Sequence, residues 1–218
     1  MFPWNYPYIS VILLIILIYA GFEDFRKRKI TTITFLVFDV LMFFYYVFFN
    51  FWLALFLIPI LSEFFLGRFS LISYVVLILP VVFDPSIVTI SIAYSILLVK
   101  SFGIINKNLG RGDVKALQAI SVALPFYPHL PLLDSLFPPV LAITLVASVI
   151  GITSSIVITR RKLSQKAINS ASEATVPNSS GENKFWVKDS RVVYKIPLVS
   201  FICIAYAVLL ILSSLQLV

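Results

Sequence analysis

The sequence predicts an all-α, polytopic membrane bundle of about eight spans, and three observations predict it. Of 218 residues, 60% are hydrophobic and 12% are charged, about half the charge fraction of an ordinary soluble domain. The apolar residues come in long runs, such as 6–22 and 196–217, at a mean hydropathy of +1.02. The few charges lean basic, 17 Lys and Arg against 10 Asp and Glu, and gather near the ends of those runs. Too little polar surface remains to coat a globule, so a soluble enzyme is excluded. A single cysteine, Cys203, excludes a disulfide scaffold and a Cys-rich zinc module. A nucleic-acid binder would carry its basic excess as a surface stripe. In a membrane protein the same excess marks the cytoplasmic face.

A helix crosses a bilayer with roughly 20 mostly apolar residues. That length divides the chain into spans at 6–22, 30–49, 51–66, 69–83, 87–105, 114–126, 138–158 and 196–217. The apolar stretch 30–66 is too long for one crossing, which places a tight turn at Asn50. Further turns fall at Gly67 and Arg68, and at Asp84 and Pro85, where a proline and the residue before it both disfavour helix. The number of spans drops to six if 51–83 does not form a hairpin.

No basic residue precedes the first run, and Arg26, Lys27, Arg28 and Lys29 follow it. This reverses the charge order of a cleavable signal peptide and predicts a permanent span with its start outside. Trp4, Tyr6 and Tyr8 then form an outer aromatic belt. Alternation places Arg68, residues 107–115 and the loop 160–195 on the cytoplasmic side, with Lys100 near that end of its helix. The opposite loops, with Asn50, Asp84 and residues 127–138, carry no Lys or Arg. The whole chain, 1–218, reads as one integral domain of the plasma membrane. Its polar loop at 160–195 has eight basic and three acidic side chains, a net +5. Such a loop suits the anionic headgroups of membrane lipid; docking of a substrate or partner is the alternative.

Ionisable groups at membrane spans are costly and therefore mark candidate sites. Asp24 follows the first run in Gly21-Phe22-Glu23-Asp24-Phe25-Arg26-Lys27-Arg28-Lys29-Ile30, and Asp113 stands in Gly110-Arg111-Gly112-Asp113-Val114-Lys115. Both belong to cytoplasmic helix ends. Two carboxylates brought together can share a proton: the ionised one draws a proton from an attacking water, and the protonated one polarises a peptide carbonyl. Gly110 and Gly112, lacking Cβ, let the backbone approach an extended substrate closely. The plainer account is that Asp113 caps a helix start and that Arg26 and Arg28 neutralise Asp24. Arg111 and Lys115 flank Asp113, where they either hold a carbonyl oxygen or contact headgroups.

At these two motifs the chain resembles the type IV prepilin and archaeal preflagellin peptidases, which are Gly-x-Gly-Asp intramembrane aspartic endopeptidases. Asp24-Phe25-Arg26-Lys27-Arg28-Lys29-Ile30 is similar to the family's first catalytic motif, and Gly110-Arg111-Gly112-Asp113-Val114-Lys115 to its second. Lys195-Ile196-Pro197-Leu198 is similar to a weaker proline-containing pattern late in bacterial members. The resemblance implies that Asp24 and Asp113 are the catalytic pair and that no metal or other cofactor is needed. It also implies that the substrates are pilin-like or archaellin precursors whose short basic leader is cut off at the cytoplasmic face. Bacterial members with methyltransferase activity carry a cytoplasmic insertion with paired cysteines. This chain has neither, so peptidase activity alone is expected, as in archaeal members. Thr31 stands where bacterial members commonly have Pro, and Asp24 and Asp113 are further apart than in compact archaeal relatives.

The remaining polar residues fit supporting roles. Asp39, near the middle of the second span, is read as hydrogen-bonded through Tyr45, Thr34 or a serine, with support of the dyad as the alternative. Glu63 is expected to pair with Arg68, and Glu23 points away from Asp24 on its helix. His129 has no second ligand type nearby, and Cys203 packs as a small apolar residue. Two other readings compete. A presenilin or signal-peptide-peptidase relative would use Phe38-Asp39 as a poor first motif and lacks its Pro-Ala-Leu sequence here. A small proton-coupled transporter would use Asp39 and Asp113 as ion sites. Nucleic acid is not an expected partner.

Overall fold

The computed structural model describes residues 6–27, 30–65, 70–106, 109–123, 137–169, 185–188, 191–194 and 196–214. In order these form α1 (Tyr6–Lys27), α2 (Ile33–Phe49), α3 (Phe51–Ala54), α4 (Leu57–Phe65), α5 (Ser70–Ser73), a 3-10 turn (Tyr74–Leu77), α6 (Ile78–Phe83) and α7 (Ile87–Ile105). They continue with α8 (Arg111–Ala123), α9 (Pro139–Asn169), strands β1 (Phe185–Lys188) and β2 (Arg191–Tyr194), and α10 (Leu198–Ser214). The chain is thus a helical bundle, as its composition predicts. One short antiparallel hairpin, with Phe185 opposite Tyr194, interrupts it late in the chain. Trp4, Arg28, Lys29, Gly67, Arg68 and His129 lie outside the described residues, as do 124–136 and 170–184.

Among the described residues, three helices are long and apolar enough to cross a membrane: Tyr8–Lys27, Ile87–Ile105 and Pro139–Ile158. They coincide with the first, fifth and seventh predicted spans. The other segments are shorter or broken, and prolines explain two of the breaks. A proline ring clashes with the carbonyl four residues earlier. Pro59 therefore separates α3 from α4 at Leu55 and Phe56, and Pro80 meets the 3-10 turn Tyr74–Leu77. α8 has 13 residues, about 20 Å of helix against a hydrocarbon core of about 30 Å.

The turns predicted at Asn50 and Asp84 lie together. Asn50 Nδ2 donates to Asp84 Oδ2 at 3.4 Å, while Asn50 Oδ1 accepts from Trp52 N at 3.1 Å and caps α3. Trp52 stacks on Phe83 at 5.0 Å between ring centroids. A capping box then starts α7: Ser86 Oγ accepts from Thr89 N at 3.2 Å, and Thr89 Oγ1 accepts from Ser86 N at 2.9 Å. At the other end of the bundle the polar loop is shorter than the sequence suggests, because α9 runs on to Asn169. No Gly or Pro falls between Ile152 and Asn169 to stop it, and the extension is rich in good helix formers.

The core surrounds α8. Every residue from Val114 to Ala123 is buried, and α8 packs against α1, α2, α7, α9 and α10. α1 contributes a helical stripe of Ile9, Leu13, Leu17 and Ala20, while Ile12, Ile15 and Phe22 on its other face are exposed in the way a bilayer covers. α1 and α10 cross in close contact. A Cβ on Gly21 would stand 3.2 Å from the Ser200 Cα, and Ser200 Oγ donates to the Gly21 carbonyl at 2.7 Å. Small residues allow such backbone approach in membrane bundles. Gly21→Val is expected to cost about 1–3 kcal/mol, because the opposing atom is backbone. Unfolding in detergent checks this, with Ile15→Ala on the exposed face expected to stay within about 0.5 kcal/mol of the parent.

Candidate functional site

Asp24 lies in the last turn of α1 and is 6% exposed. Its Oδ2 accepts the Val199 N–H at 3.1 Å. Val199 is the second residue of α10, so the carboxylate serves one of the amides that a helix start leaves without an intrahelical acceptor. A negative group there also complements the helix dipole. The segment Ile196-Pro197-Leu198 is thereby brought onto the first motif, from which it is 172 residues distant in sequence at Ile196. Beside Asp24, Glu23 turns elsewhere, as expected. Its two oxygens accept from Thr31 N at 2.8 Å and Thr31 Oγ1 at 2.7 Å, which closes the basic turn between α1 and α2.

Asp113 is the third residue of α8, and its Oδ2 accepts the Gly110 N–H at 2.9 Å. The Gly110 carbonyl in turn accepts from Val114 N at 3.2 Å. The acid therefore does the work of a helix-start cap, the plainer of its two sequence readings, and it remains partly exposed. Both glycines of the motif are explained by close approach. A Cβ on Gly110 would lie 2.9 Å from Asp113 Oδ2, and one on Gly112 would lie 2.7 Å from Ile30 Cδ1. Ile30 closes the first motif and Gly112 belongs to the second. With α1 packed on α8, the two motifs thus share one end of the bundle.

Lys115 corrects the expectation that it flanks Asp113. Two residues along a helix is about 200° of rotation, and the side chain points inward, 7% exposed. Its Nζ lies 2.9 Å from Glu63 Oε2, donates to the Ile60 carbonyl at 3.1 Å and sits 4.1 Å from the centre of the Phe64 ring. Glu63 Oε1 accepts from Lys100 Nζ at 2.8 Å, from Gln118 Nε2 at 3.0 Å and from the Tyr74 hydroxyl. Glu63 therefore pairs with two lysines, from α7 and α8, while Arg68, the partner the sequence suggested, lies outside the described residues. Arg111, at the start of α8, is exposed.

Asp39 departs from its expected role as well. It is 0% exposed, and neither carboxylate oxygen has a hydrogen-bond partner among the described residues. Its surroundings follow from helix register. Tyr46 of α2 donates its hydroxyl to the Val122 carbonyl of α8 at 2.8 Å. Seven residues earlier in each helix, about two turns, stand Asp39 and Lys115. Parallel packing of α2 and α8 sets them level, and Asp39 lies in the field of Lys115 and Glu63. The ammonium of Lys115 is itself paired with the Glu63 carboxylate of α4.

Sequence reasoning took Lys100 as a marker of orientation and did not connect it with Glu63, Tyr74 and Gln118. The available signal was polarity in the wrong place. Lys115 and Gln118 are one turn apart in a helix otherwise nearly apolar, and such groups need partners in a membrane. Cys203 packs near Gly21, whose Cβ would lie 3.6 Å from its own, as expected of a small apolar residue. Among the described residues no three His, Cys, Asp or Glu side chains gather in a set fit to hold a metal ion. Comparisons with protein-family models, curated proteins and solved structures find no match for this chain.

Glu63→Gln is expected to destabilise the bundle by about 3–5 kcal/mol, because it leaves desolvated ammonium groups uncompensated. Adding Lys115→Met should restore part of that loss. Thermal unfolding of the detergent-solubilised variants checks both, and a single variant as stable as the parent would show that the pair is not desolvated.

Proposed function

We propose that the chain is a membrane-embedded aspartic endopeptidase of the prepilin or preflagellin type, with Asp24 and Asp113 as its catalytic pair. The observation that carries this reading is the seating of Ile30 on Gly112. It joins the end of the Asp24 motif to the Gly-x-Gly-Asp motif at one end of the bundle, although the two are separated by most of the first half of the chain. In the reaction one carboxylate takes a proton from water as the oxygen attacks the scissile carbonyl, and the other donates a proton to the carbonyl oxygen. Collapse of the tetrahedral species expels the new amino terminus, which takes a proton in leaving.

The substrate is a pilin-like or archaellin precursor with a short basic leader. Positive residues stay on the cytoplasmic side, so the bond ahead of the precursor's apolar helix is presented at that interface, where both motifs belong in an eight-span topology with its N-terminus outside. The exposed side chains Arg26 and Lys27 repel a basic leader, and the two aspartates supply the opposing charge. Methylation of the new amino terminus is not part of this reading, and neither is a metal or other cofactor.

A second reading, a proton-coupled transporter, draws on the buried and unpartnered Asp39. The two readings separate in one preparation. Membranes holding the chain and a pilin-like precursor are expected to release the leader, with Asp24→Asn and Asp113→Asn each lowering the rate by at least about 10²-fold. Cleavage retained in both variants would sink the dyad, and ion-coupled flux without cleavage would favour transport.

A further inference from the structure

The charged cluster beneath the candidate active site reaches it through one helix. Lys115 stands two residues beyond Asp113 and three beyond Gly112, about 3 Å and 4.5 Å of axial rise. Its Nζ binds both the Glu63 carboxylate, at 2.9 Å, and the Ile60 carbonyl, at 3.1 Å, so α8 is tied at this level to the side chain and the backbone of α4. One turn earlier on the same side of α8, about 60° away around its axis, Gly112 makes its contact with Ile30. A turn of α8 about its own axis would have to break the first set of bonds to open the second contact.

We propose that Lys115 is a positioning residue for the Gly-x-Gly-Asp motif. Its bonds to Glu63 and Ile60 fix the rotation and depth of α8, which keeps Gly112 seated on Ile30 and sets Asp113 relative to α1. The Asp39 carboxyl, fully buried on α2, has no hydrogen-bond partner among the described residues and does not compete for the ammonium. What is being positioned rests on the peptidase reading, whereas the contact itself does not.

The contact can be measured without catalysis. A Cβ on Gly112 would lie 3.0 Å from the Ile30 Cβ, close to the separation of about 3.5–4.5 Å that a disulfide spans. In full-length protein carrying Cys203→Ala, the pair Ile30→Cys and Gly112→Cys is expected to oxidise rapidly in membranes, with the crosslink read by mass spectrometry. Asp39→Asn with Lys115→Met is then added. This double change removes the ammonium while leaving Glu63 and Lys100 to balance each other, so the bundle has a neutral interior. Crosslinking should slow by about tenfold or more. In the chain with native Ile30 and Gly112, the same double change should lower kcat for leader removal by a similar factor, with KM within about twofold.

Unchanged crosslinking and kcat in the double variant would overturn the proposal by reducing Lys115 to a counter-charge for Glu63. Failure of the parent pair to crosslink, or of the neutral double variant to assemble, would overturn it too. Crosslinking that depends on Lys115 in a chain that cuts no precursor would uphold the positioning role and remove the peptidase reading alone.

Discussion

Lys115 and its partners constrain the rest of this molecule. An ammonium group in the centre of a bundle is tolerated only when paired and hydrogen-bonded, since its desolvation otherwise outweighs what packing returns. Glu63 and the Ile60 carbonyl meet that need from α4, Lys100 completes the pairing from α7, and Gln118 and Tyr74 fill the remaining acceptor capacity of Glu63. Four elements are therefore committed to one place by charge, where apolar packing alone would leave them free to slide. α8, buried from Val114 to Ala123, is the helix about which they are arranged.

The two candidate acids belong to motifs at one end of this arrangement and share a structural habit. Asp24 accepts an amide from the start of α10, and Asp113 accepts one from the start of its own helix. Capping and acid chemistry are compatible, because a carboxylate with one oxygen held by a backbone amide is oriented before any substrate arrives. The bonds also show why neither acid could be judged alone. Each has a sufficient structural reason to be present, and the packing of α1 on α8 with the approach of Ile30 to Gly112 relates one to the other.

The helical class and the positions of most segments were legible in composition and run length. α7 coincides with the predicted span 87–105, and the turns at Asn50 and Asp84 fall where polar and proline signals put them. The breaks were legible in principle but were missed. Pro59 and Pro80 were counted as parts of apolar runs, although each forbids the carbonyl four residues before it from joining a regular helix. The extension of α9 to Asn169 was missed for the reverse reason: polar composition was taken as loop, where the lack of Gly and Pro allowed the helix to continue.

Of the candidate site, the sequence by itself determined the two Asp motifs, the glycines beside them and the basic run after α1, because these are local strings whose chemistry depends on neighbours a few residues away. It could not assign Lys115, Glu63 or Asp39. Their partners lie on other helices, and whether a lysine meets headgroups or a buried carboxylate depends on the rotation of its helix. The tertiary structure decided that rotation. Packing of α8 among five helices leaves one orientation in which its ammonium finds an acid and its glycine finds room for Ile30.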